Sequence, residues 1–102
     1  MKFFSKKKKE ENLINNGEMK ERYANYAINS LMGNRLIVDF NNIECEYGYL
    51  YNIDGHGLEG LFKIKKDGRI FYFAIQGDRM QMLNLNEQQY DAYTQSFIAM
   101  HN

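Results

Sequence analysis

The chain has 102 residues and a mass of 12.1 kDa, is 44% hydrophobic and 15% aromatic, and carries no formal net charge at pH 7. Such a chain builds one packed domain rather than two or a disordered coil, and it has no apolar run long enough to span a bilayer. The neutral total hides an asymmetry: residues 1–22 hold seven basic and four acidic side chains, the rest six basic and nine acidic, so the body is acidic and argues against a nucleic-acid-binding surface there.

Residues 1–16 read as a flexible, lysine-rich leader ahead of a single domain over residues 17–102. Met1-Lys2-Phe3-Phe4 resembles the start of a signal peptide, but Lys6 to Lys9 follow where the apolar segment belongs. The lysine run reads first as a solvated tail, with an electrostatic tether to anionic lipid or RNA as the alternative. Cys45 is the only cysteine, so no disulfide forms within the chain, and a cytoplasmic location is expected.

A first helix is expected over Glu18–Met32, because Met19, Tyr23, Tyr26, Ala27 and Leu31 share one stripe. Gly33 is placed to end it with a left-handed residue. Five strands should follow: Arg35–Phe40, Ile43–Ile53, Leu58–Lys66, Arg69–Gln76 and Arg79–Leu85. Asn41-Asn42, Gly55-His56, Asp67-Gly68 and Gly77-Asp78 serve as two-residue hairpin loops. Asn86 then caps a second helix, Gln89 completes a capping box, and Leu85 is placed to staple onto Tyr90. In that helix Tyr90, Tyr93, Phe97, Ile98 and His101 share a face. The fold class is α+β, a five-stranded antiparallel meander flanked by an N-terminal and a C-terminal helix.

These loops assign every strand residue a partner and a face. Tyr47 should oppose Ile64, Tyr49 Phe62, Phe62 Phe73, Ile64 Phe71, Lys63 Tyr72, Phe73 Met82 and Ile75 Met80. The resulting inner face holds Leu36, Val38, Tyr47, Tyr49, Phe62, Ile64, Phe71, Phe73, Ile75, Met80 and Met82. Five strands make a sheet roughly 20 Å wide, which two helices about 10 Å across can cover. Both helices are therefore expected on this face, giving two layers.

The outer face then carries seven apolar residues: Leu50, Leu61, Ile70, Tyr72, Ala74, Leu83 and Leu85. Either a helix crosses to cover them or they form a contact surface, and the second reading is preferred here because both helices are needed elsewhere. The leading functional expectation is a non-enzymatic protein-interaction module that works through this face or an exposed sheet edge and is expected to be homodimeric, with a foreign protein as the alternative partner. The alternative is a small-ligand binder or simple enzyme with a cavity between helices and sheet, lined by Tyr47, Tyr49, Phe73 and Met82. A nucleic-acid accessory protein using the leader stands third.

Chemistry-bearing groups are sparse. His56 with Asp54, Gly55 and Gly57 has the composition of a tight turn, and no nucleophile completes a triad with it. Cys45, His56 and His101 are too scattered for a zinc site. If Asn41-Asn42 is a two-residue loop, Asp39, Glu44 and Asp67 converge into what is at most a weak divalent-cation site; the preferred reading is that the first loop differs or that the carboxylates splay into water. No catalytic residue, cofactor, metal or membrane insertion is expected.

Overall fold

The computed structural model describes the backbone of residues 2–53, 55–77 and 79–101, with side chains from residue 17 onward. Its elements run α1 (Lys2–Gly33), β1 (Ile43–Ile53), β2 (Gly57–Lys66), β3 (Arg69–Gln76), β4 (Arg79–Leu83) and α2 (Glu87–His101). The class is α+β, with one antiparallel sheet in the order β1-β2-β3-β4. The side chains of the lysine-rich leader lie outside the described residues.

Among the described residues four strands form where five were expected, and the end of α1 explains why. Gly33 still belongs to the helix, and the left-handed residue is Arg35, at φ 59°. The Leu36 and Ile37 amides turn back to donate to the Leu31 carbonyl, at 2.9 and 3.4 Å. Asn34 donates from its backbone and side chain to the Ser30 carbonyl. Satisfying the last helical carbonyls thus uses the backbone that a strand over Arg35–Phe40 would need. Past that cap, Asp39 accepts the Asn41 amide at 3.0 Å and Asn42 sits at φ 56°, both turn features. The alternation of Leu36, Val38 and Phe40 that mimicked a strand has no ladder behind it. Val38 is 84% exposed, while Ile37, one residue out of phase, is 4% exposed and enters the core. The Arg69 guanidinium donates to the Leu36 carbonyl at 2.7 Å and ties this connection to the sheet.

The β2–β3 and β3–β4 registers follow expectation: Phe62 opposes Phe73, Ile64 Phe71, Lys63 Tyr72, Phe73 Met82 and Ile75 Met80. The β1–β2 register does not. Ile53 pairs with Gly57, so the loop has three residues instead of two, and a bulge interrupts pairing between Tyr47 and Tyr49. The longer loop inverts the faces near it, and the extra residue, Gly48, inverts them again. Tyr47 therefore stays on the inner face, opposite Phe62, but Tyr49 and Leu50 exchange sides. Leu50 packs inward over Gly60, where an added Cβ would stand 2.8 Å from the Leu50 Cδ1.

The layers number three, a correction to the two expected. On the inner face α1 lays Tyr23, Ala27 and Leu31 over Leu50, Phe62, Ile64, Phe73 and Ile75. On the outer face α2 joins Tyr90 to Leu61 and Tyr72. Ile37 and Leu36 extend the cover that α1 provides, which leaves α2 free to cross to the other side. The capping box forms as expected, with Asn86 N–H on Gln89 Oε1 at 2.9 Å and Gln89 N–H on Asn86 Oδ1 at 2.8 Å. It sets the direction in which α2 leaves β4.

Candidate functional site

Aromatic contacts seat α2 on the sheet. Tyr90 meets Tyr72 with ring centroids 5.1 Å apart, and two turns later Phe97 stacks on Tyr49 at 3.8 Å. His101 closes the row against Phe97, at 4.2 Å, with Tyr51 6.1 Å away. Close approach to β1 depends on Gly48, where a Cβ would come within 2.6 Å of Thr94 Oγ1 and 2.9 Å of the Tyr90 hydroxyl. Burial pushes the Tyr90 phenol well above its ordinary range, as expected for a ring wedged between helix and sheet.

Anchored this way, α2 leaves a groove of about 460 Å³ on its other flank. Leu61, Ala74, Gln81 and Leu83 form its floor, and Tyr93, Phe97 and Met100 its helical wall. Leu85 lies at one end, and Glu59 with Gln76 lies at the other. Tyr93 is 56% and Met100 78% exposed, so the wall presents apolar surface to solvent.

The seven residues expected to form one outer contact surface are divided. Leu61 and Tyr72 are 3% and 6% exposed beneath α2, and Leu50 belongs to the inner core. Ala74, Leu83 and Leu85 are half-buried and line the groove, while Ile70 is exposed beside a separate hollow with Phe71 and Met82. The alternative ligand set does not converge on one cavity. Tyr47 stacks on Phe62 at 4.6 Å and donates its hydroxyl to the Lys20 carbonyl at 2.8 Å, and Phe73 is fully packed. Met82 is exposed on the edge strand, and Tyr49 has moved to the groove.

Glu59, Gln76, Tyr93 and Met100 escaped the sequence reading as site residues. For the helix the signal was present, since Tyr93, Phe97 and Met100 repeat at i, i+4 and i+7. Glu59 offered none on its own.

Asp39 and Asp67 do converge, and the cation between them is Lys66. Its ammonium lies 2.6 Å from Asp39 Oδ1 and 2.8 Å from Asp67 Oδ2, on a residue only 4% exposed. It also donates to the Asn41 carbonyl. Hydrogen bonds to Asp39 and then Asp67 raise the Lys66 pKa, and the same ammonium lowers both carboxyls. Glu44 stands apart, opposite Lys65. Among the described residues, no group of three or more His, Cys, Asp or Glu is arranged to hold a metal ion. His56 is exposed in its loop, and Asp54 lies outside the described residues. Cys45 is an exposed free thiol opposite Ile64.

Among the described residues, no helix is long and apolar enough to cross a membrane. No protein-family model, curated protein or solved structure matches this chain.

Proposed function

We propose that this protein is a non-enzymatic protein-interaction module whose partner docks in the groove beside α2. The observation that carries the reading is the exposed apolar wall of Tyr93 and Met100 over a floor of Leu61, Ala74 and Leu83. Aromatic and Met side chains around a concave apolar floor are what partner anchors bury against. The partner is a foreign chain or a second copy, and a reducing, cytoplasmic setting fits the lone cysteine. A second reading, a small apolar ligand, draws on the groove volume, which lies within the roughly 300–1,000 Å³ typical of ligand sites.

Photo-crosslinking from a benzophenone amino acid at position 100, in the cells that make the protein, tests the proposal. The expected result is one discrete adduct that disappears when Ala74→Trp fills the groove. An adduct of twice the chain mass identifies a second copy. Adducts that persist in Ala74→Trp, or none at all, contradict the interaction reading.

A further inference from the structure

We infer that the partner enters this groove with a Lys or Arg of an amphipathic segment, the aliphatic stem lying on the floor and the cation meeting Glu59. The inference rests on the interaction reading above and adds the chemistry of the partner. Among the described residues lining the groove, Glu59 alone carries a charge, and it makes no ion pair with another described residue. The sheet register fixes its place in a cross-strand row, Tyr51–Glu59–Gln76–Arg79, on the face that α2 crosses. Arg79 stands two strands away, roughly 10 Å at ordinary strand spacing, and does not line the groove. Among the described residues, therefore, no cation meets the carboxylate that closes this apolar, aromatic-walled groove.

A side chain that joins an apolar stem to a cation satisfies both halves of this site. The stem covers Ala74, which lies one strand over from Glu59 in the next outward row, and the cation meets the carboxylate at that end of the groove. The surplus of acid over base beyond residue 22 works in the same direction, drawing basic partners and repelling acidic ones. From Tyr93 to Met100 the wall runs about 10 Å, enough for one such side chain and two apolar neighbours.

A random dodecapeptide display library, selected on the wild-type chain, tests this. Peptides that lose binding to Ala74→Trp or to Tyr93→Ser are groove-dependent. Tyr93 is exposed, so its variant keeps the test open if Ala74→Trp fails to fold. The expected result is that groove-dependent peptides carry more Lys and Arg than the library. They should also bind Glu59→Gln about fivefold more weakly, the upper end for a partly exposed ion pair. Groove-dependent peptides with no basic excess, or unaffected by Glu59→Gln, overturn the cation inference and leave the groove reading standing. If no selected peptide depends on either groove variant, the groove reading falls and the inference falls with it.

Discussion

Phe97 lies face to face on Tyr49, their ring centroids 3.8 Å apart and their planes 7° from parallel. The contact exists because the three-residue loop after Ile53 sets Tyr49 opposite Leu61 on the outer face and because Gly48, the bulge residue, lets α2 come close. One irregularity in β1 thus helps decide which face α2 covers, and so where the groove opens.

A side chain at position 48 should loosen that contact. Gly48→Val places methyls against Thr94 and the Tyr90 hydroxyl, and overpacking of this kind costs about 1–3 kcal/mol. Chemical denaturation should show the loss. Hydrogen exchange should show it concentrated in α2, whereas uniform loss across α1 as well would point to a different cause.

Leu61 and Phe62 should prove equally intolerant of charge, since each is core on its own side of β2. Leu61→Glu and Phe62→Glu are both expected to abolish cooperative unfolding by circular dichroism, because each buries an unpaired carboxylate. A well-folded Leu61→Glu would mean that α2 does not cover this residue.

Truncations of the inner core have the ordinary large cost. Phe62→Ala and Phe73→Ala should each lose about 3–5 kcal/mol in urea denaturation. Losses under about 1 kcal/mol at both sites would contradict the inner-face packing.

The Lys66 network makes stability depend on pH at both extremes. Asp39 and Asp67 have lowered native pKa values, so their contribution is complete above the ordinary carboxylate range and disappears as pH falls through the lowered values. Lys66 has a raised pKa, so its contribution is complete below about 10.5 and disappears as pH rises through the raised value. Asp39→Asn with Asp67→Asn should therefore flatten the acid limb of a stability profile measured by denaturation from pH 7 to 2. An acid limb as steep as that of the wild type would rule the network out as its source.

The parts of the fold legible in the sequence are those where turn chemistry leaves one option. Asp67-Gly68 sits at φ 51° and 84°, which sets the β2–β3 register, and the β3–β4 pairing was also legible from its turn. The capping box at Asn86 and Gln89 was legible for the same local reason. Around Gly55-His56-Gly57 the sequence admits loops of two or three residues, and the bulge at Gly48 answers to Thr94 and Tyr90, which are distant in sequence. The expected strand at Arg35–Phe40 failed because carbonyls at the end of α1 outcompeted a weak alternation. Ala74, Leu83 and Leu85 were placed on the right face, but their surroundings depended on where α2 lands, and no local pattern specifies that.

The most direct test of the arrangement that creates the groove is a set of ring-proton nuclear Overhauser contacts from Phe97. Strong contacts to Tyr49, with none to Phe62 or Phe73, are the predicted result. Contacts from Phe97 to Phe62 or Phe73 would put α2 on the inner face, and neither the groove nor the partner site proposed in it would exist.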